Sequence, residues 1–157
     1  MSNEKKQEYT LKITQANKTQ LIVILYEMAL TYMAEAREAY EKNDRKEFRQ
    51  AISRTRGCIN ELMTSLRFEY ELAIRILELY MFVNKELARS EVRMSIEHVD
   101  NACKIINQLL TAYRELSLQD DSLPVMENAQ IVYSGLTYDR KSVLDSLSHN
   151  TNRGFRA

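Results

Sequence analysis

The stretch NKTQLIVILYEMALTYMAEAREAY, Asn17 to Tyr40, decides the fold. Within it Leu21, Leu25, Met28, Tyr32, Ala36 and Tyr40 recur every three or four residues, and Ile24 and Ala29 widen the stripe. That is the period of one helix face, and it predicts a helix of about 25 residues. Asn17 is a good N-cap. Gln20, three residues later, completes a box in which each side chain can satisfy an orphan backbone donor of the first turn.

The same grammar repeats downstream. Asn43-Asp44 interrupts the stripe, and Asp44 with Glu47 signals a second helix bearing Phe48, Ile52, Ile59, Leu62, Met63 and Leu66. So short a turn makes the two helices antiparallel neighbours. A further turn is expected between Arg67 and Glu71, because a new stripe starts at Leu72 and continues through Ile76, Leu77, Tyr80, Val83 and Leu87. A fourth stripe runs Ile96, Val99, Cys103, Ile106, Leu110 and Tyr113, entered through Ser95 as a cap. The expected fold is all-α, an antiparallel up-and-down four-helix bundle over residues 17–118 with coiled-coil-like packing at shallow crossing angles.

The ends read differently. Tyr9, Leu11 and Ile13 alternate with polar neighbours, so residues 1–16 are expected to form an extended N-terminal segment lying on the surface. Gln119-Asp120-Asp121-Ser122 reads as a polar hinge, and Pro124 suits the first turn of a helix. Residues 119–157 are therefore expected to be a C-terminal extension, with a short fifth helix over Pro124 to Ser134 and a polar tail.

Composition agrees with helices. Of 157 residues 45% are hydrophobic and 28% charged, with three glycines and one proline, few breakers for a chain of this length. The 22 basic and 22 acidic side chains cancel, leaving no global field for nucleic acid or an anionic membrane. Met1 to Glu8 lacks the apolar core of a signal peptide, and Leu21 to Tyr26 is far too short to span a bilayer, so the chain is expected to be cytoplasmic without membrane insertion. Cys58 and Cys103 lie on apolar stripes and are expected to be reduced core thiols.

No catalytic pattern emerges, and the chain is not expected to be an enzyme or to hold a cofactor or metal. Di-iron bundles need a Glu-x-x-His pair that shares a helix face, and none is present. His98 is the one candidate for phosphotransfer, but Glu97 and Asp100 beside it would repel a phosphoryl group. Glycines at 57, 135 and 154 build neither a phosphate cradle nor a nucleophile elbow.

One feature exceeds what a simple bundle uses. Leu21-Ile22-Val23-Ile24-Leu25-Tyr26 and Leu79-Tyr80-Met81-Phe82-Val83 are apolar around most of the helix circumference. Either the chain's own terminal segments cover them, or they form a groove for an amphipathic partner helix, with Met81 and Phe82 as adaptable contacts. The expected partner-binding residues are Tyr9, Leu11, Ile13, Leu21, Ile22, Tyr26, Leu79, Met81, Phe82 and Val83. The alternative is a structural or regulatory helical protein that homodimerises through this apolar excess.

The run Ile13-Thr14-Gln15-Ala16-Asn17-Lys18-Thr19-Gln20-Leu21, followed by Leu25-Tyr26-Glu27, resembles the opening of the flagellar secretion chaperone family FliS. Ile59-Asn60-Glu61-Leu62 with Ser65-Leu66, then Leu77 with Leu79-Tyr80, then Leu87-Ala88 continue the likeness in order, over about the first 115 residues. Gln15, Asn17 and Lys18 stand where the family has threonine, serine and proline, and Tyr113 near where many members carry tryptophan. The segments Val132 to Tyr138 and Asn152 to Phe155 are similar to extensions of clostridial-type members. The resemblance implies a cytoplasmic chaperone, monomeric or weakly dimeric when free, that binds the C-terminal segment of flagellin in apolar grooves and prevents premature polymerisation. It also implies delivery to the flagellar type III export apparatus, with the export gate as a further contact, and an N-terminal segment that lies over part of the groove.

Overall fold

A computed structural model describes residues 2–68 and 70–126. Every regular element among them is a helix: α1 Asn3–Gln15, α2 Lys18–Glu41, α3 Arg45–Thr64, α4 Glu71–Arg93 and α5 Ile96–Leu118. Helices α2 to α5 close a ring of neighbours, with α2 against α3 and α5, and α4 against α3 and α5. That is the up-and-down four-helix bundle the stripes predict.

The start signals act as expected at two of the helices. Asn17 Oδ1 accepts the Gln20 amide at 2.8 Å, and Gln20 Oε1 accepts the Asn17 amide at 2.9 Å, so the capping box is complete. Asp44 caps α3 by accepting the Glu47 amide at 3.0 Å. Asn43 before it takes a left-handed φ of 54°, which asparagine tolerates better than most residues. Ser95 stands at the N-cap of α5 but makes no side-chain cap bond, so its expected capping role is absent. The α4–α5 turn is made instead by Met94, left-handed at φ 51°, whose amide donates to the Ser90 carbonyl.

The core is built from Tyr26, Met33, Phe48, Ile52, Ile59, Leu62, Tyr80, Val83, Leu87, Val99 and Ile106. Small residues Ala29, Ala36 and Ala51 are fully buried on α2 and α3, which lets these two helices pack along most of their length. Cys58 is buried within this core and Cys103 half-buried at its edge, both as free thiols.

The N-terminal segment is a helix, not the extended strand-like piece its alternation suggests. Ser2 caps it by accepting the Lys5 amide, and Glu8 pairs with Lys12 one turn on at 2.7 Å. Tyr9 and Ile13 are four apart and share the half-buried face of α1, while Leu11, which breaks that period, is exposed. Three apolar residues spaced by two satisfy both periods at their ends; the capping and ion-pair chemistry around them selects the helix. Residues 119–126 run as non-helical chain, so Pro124 to Met126 begin no helix; the rest of the fifth helix expected over Pro124–Ser134, and the tail, lie outside the described residues.

Candidate partner-binding surface

Helix α4 carries more apolar residues than one core face can take. Its core side is filled by Ala73, Ile76, Tyr80, Val83 and Leu87. Leu72, Leu79 and Phe82 fall along one edge of the helix, 65%, 37% and 44% exposed, and Ile74 and Met81, seven apart, share its outer side, 51% and 57% exposed. The aromatic rings of Phe68 and Tyr70 in the preceding turn are also exposed.

The edge of Leu72, Leu79 and Phe82 borders α5. Glu86, on the same edge, is met from α5 by His98 at 2.9 Å and by the Asn101 amide at 3.1 Å. In an antiparallel pair this register carries Leu79 to the level of Ile105 and Leu109, and Leu72 to that of Ala112 and Leu116. Ile105 and Leu109 are half-buried and Leu116 is exposed. By this register the two edges line an apolar strip along the α4–α5 seam, termed the channel, about 15 Å long from Leu72 to Phe82 at the rise of a helix.

The channel has two different ends. One is polar: the Glu86 carboxylate is almost fully buried and also accepts Arg89 at 2.8 Å, and the hydrogen bonds from His98 and then Asn101 hold its pKa down at about 2. The other opens on a cavity of about 280 Å³ at the end of the bundle, walled by Ile22, Leu66, Tyr70, Leu72, Tyr80 and Tyr113. Behind its wall the hydroxyls of Tyr26 and Tyr80 hydrogen-bond to each other inside the core. Burial pushes both phenols far above their ordinary pKa.

Of the residues expected to bind a partner, Leu79, Met81 and Phe82 lie open on α4, and Ile22 lines the cavity. Tyr26 and Val83 do not belong to that surface: both are fully buried, because each sits at the centre of its helix's core stripe. Leu21 is half-buried at the start of α2. Tyr9, Leu11 and Ile13 lie apart from the channel, on α1. That helix folds back on α2, with the Tyr9 hydroxyl 3.2 Å from Thr31 Oγ1. Between the two, a cleft of about 380 Å³ remains, lined by Lys12, Gln15, Ala16, Gln20, Val23, Ile24 and Glu27.

The sequence reading does not single out Phe68, Tyr70, Ile74 and Leu116, and Leu72, expected at the start of the core stripe, is 65% exposed instead. The signal was there for Leu72: Leu72 and Leu79 are seven apart, and with Phe82 they form a second stripe beside the core positions Ile76, Tyr80, Val83 and Leu87.

Among the described residues no helix is long and apolar enough to cross a membrane, and no group of His, Cys, Asp and Glu gathers as metal ligands would. A search of curated proteins finds no match to the chain. The family model of the flagellar protein FliS matches residues 1–120, a span that contains all five helices. The chain belongs to the FliS family of flagellar export chaperones.

Proposed function

We propose that this protein is a cytoplasmic chaperone that holds the C-terminal region of flagellin as amphipathic helices, prevents its premature polymerisation and assists its delivery to the flagellar export gate. The observation that supports this reading is the apolar row Leu72, Leu79 and Phe82, exposed on a helix whose core face is already full. An amphipathic helix laid between α4 and α5 would remove that row from water, at roughly 25 cal/mol per Å² of apolar surface.

Ordering an unfolded segment costs about 2 to 5 kcal/mol or more, so the complete interface must exceed about 1,200 Å². A channel about 15 Å long holds roughly ten residues of helix, half or less of the roughly 20 to 30 residues a side that a standard interface uses. The flagellin segment therefore continues beyond it, over the bundle-end cavity, where a large apolar side chain fits between Ile22, Leu66 and Tyr113.

Titration calorimetry with intact flagellin and with flagellin lacking its C-terminal segment tests the proposal. One-to-one binding is expected for the first and none for the second; equal binding by both would remove the proposed occupant. Sedimentation of the free chain is expected to give a monomer or weak dimer. A tight dimer unchanged by flagellin would mean that the α4 face pairs with a second copy instead.

A further inference from the structure

Between α1 and α2 stand two residues, Ala16 and Asn17, both extended and both buried. Their ψ angles decide where α1 points, since α1 itself has no buried residue with which to fix its place. The chain that leaves α5 returns to this point. Asn17 Nδ2 donates to the Asp120 carbonyl at 2.9 Å and to the Ser122 carbonyl at 3.4 Å. The Val125 amide donates to the Ala16 carbonyl at 3.0 Å, and the Thr19 hydroxyl donates to the Asp120 carboxylate. Asp120 is held in shape by accepting the Ser122 amide at 3.0 Å.

We propose that residues 120–125 are a latch for the N-terminal arm: they lock the Ala16–Asn17 hinge and thereby hold α1 against α2. Asn17 serves both sides. Its oxygen caps α2, and its amide, which a serine cap lacks, grips the returning strap. Among the described residues, the Tyr9–Thr31 contact is the one hydrogen bond from the arm across to α2. A 13-residue helix is at the margin of stability in water, so α1 freed from its place unwinds. Whatever draws the strap away therefore releases the arm, which walls one side of the cleft, and opens the α2 face of Val23, Ile24 and Glu27 on the other. This is a property of the free chain and stands apart from the identity of the partner.

Hydrogen exchange on the full chain, from milliseconds to minutes, tests it. Asn17→Ser keeps a capping oxygen and removes the side-chain amide donor; Val125→Pro removes the backbone donor to the Ala16 carbonyl and leaves the hinge residues untouched. Each lost bond weakens closure, so both variants are expected to speed exchange of the α1 amides by about 5-fold or more, with the first turn of α2 as protected as before. Unchanged α1 exchange in both variants overturns the latch. So does Asn17→Ser loosening α2's first turn as much as α1 while Val125→Pro leaves α1 untouched, because the effect would then be loss of a cap.

Discussion

Glu86 and His98 meet across the seam between α4 and α5, Oε2 to Nδ1 at 2.9 Å, with the carboxylate almost wholly out of water. With its proton on Nδ1 the imidazole donates to the carboxylate, and Asn101 and Arg89 supply the remaining donors. A buried carboxylate is tolerated only when so surrounded. The cluster also sets the register that aligns the Leu79 and Phe82 edge alongside α5, so packing and the proposed partner surface depend on the same contact.

Stability should therefore fall with acid in a window set by Glu86. Its folded-state pKa, about 2, lies below the ordinary 4.5, so between those values the unfolded chain binds the extra proton. The contribution is complete above about 4.5 and is lost as pH drops toward 2. Urea melts of wild type and Glu86→Gln check this. The variant is expected to lose about 1 to 3 kcal/mol at pH 7 and to show a flatter dependence between pH 5 and 2.5. Parallel curves for the two would exclude Glu86 as the group responsible.

Phe82 and Val83 are neighbours with opposite expected effects. Val83 is fully buried, and Val83→Ala should cost about 2 kcal/mol of stability through lost burial and the cavity left behind. Phe82 lies open, so Phe82→Glu should leave the melting temperature nearly unchanged. It should weaken flagellin binding by about 2 kcal/mol, roughly 30-fold, if Phe82 anchors the partner helix. Calorimetry beside thermal melts separates the two effects; full-strength binding by Phe82→Glu would move the partner off this edge.

The bundle was legible because it is written in local chemistry. Asn17 with Gln20 and Asp44 with Glu47 mark helix starts that need no tertiary information, and the stripes between them carry one period each. The N-terminal helix was not legible from Tyr9, Leu11 and Ile13, since residues two apart fit a strand while the outer pair also fits a helix. The exposed apolar surface proposed to bind the partner was half legible. Surplus apolar residues on α4 are visible in the sequence, but whether Phe82 or Val83 faces water depends on where α5 docks. That is fixed by Glu86 and His98, a contact between residues 12 apart that no periodicity announces.

An apolar channel on a chain with no net charge should bind with little help from long-range electrostatics. Salt screens exposed charges within about 10 Å at 0.1 M and about 3 Å at 1 M, while apolar burial is not weakened by it. Flagellin affinity is expected to change less than about 3-fold between 0.1 and 0.5 M sodium chloride, and the heat capacity of binding to be negative. A steep loss of affinity with salt would assign recognition to surface charges rather than to Leu72, Leu79 and Phe82.

Tyr26 and Tyr80 join α2 to α4 by a hydrogen bond between two hydroxyls, beneath the cavity at the bundle end. The Tyr113 ring from α5 packs 5.5 Å from that of Tyr26, centroid to centroid, so three helices converge on the pair. Removing one hydroxyl leaves the other buried without that partner, at a cost of about 1 to 3 kcal/mol for Tyr26→Phe or Tyr80→Phe alone. The double variant removes both and should cost less than the sum of the two, which a double-mutant cycle by denaturant unfolding measures. Strict additivity would show that the hydroxyls do not depend on each other. The same burial raises both phenols well above their ordinary pKa, so in an alkaline absorbance titration these two of the nine tyrosines should ionise only as the bundle unfolds. In Tyr26→Phe the number that ionises late should fall by one.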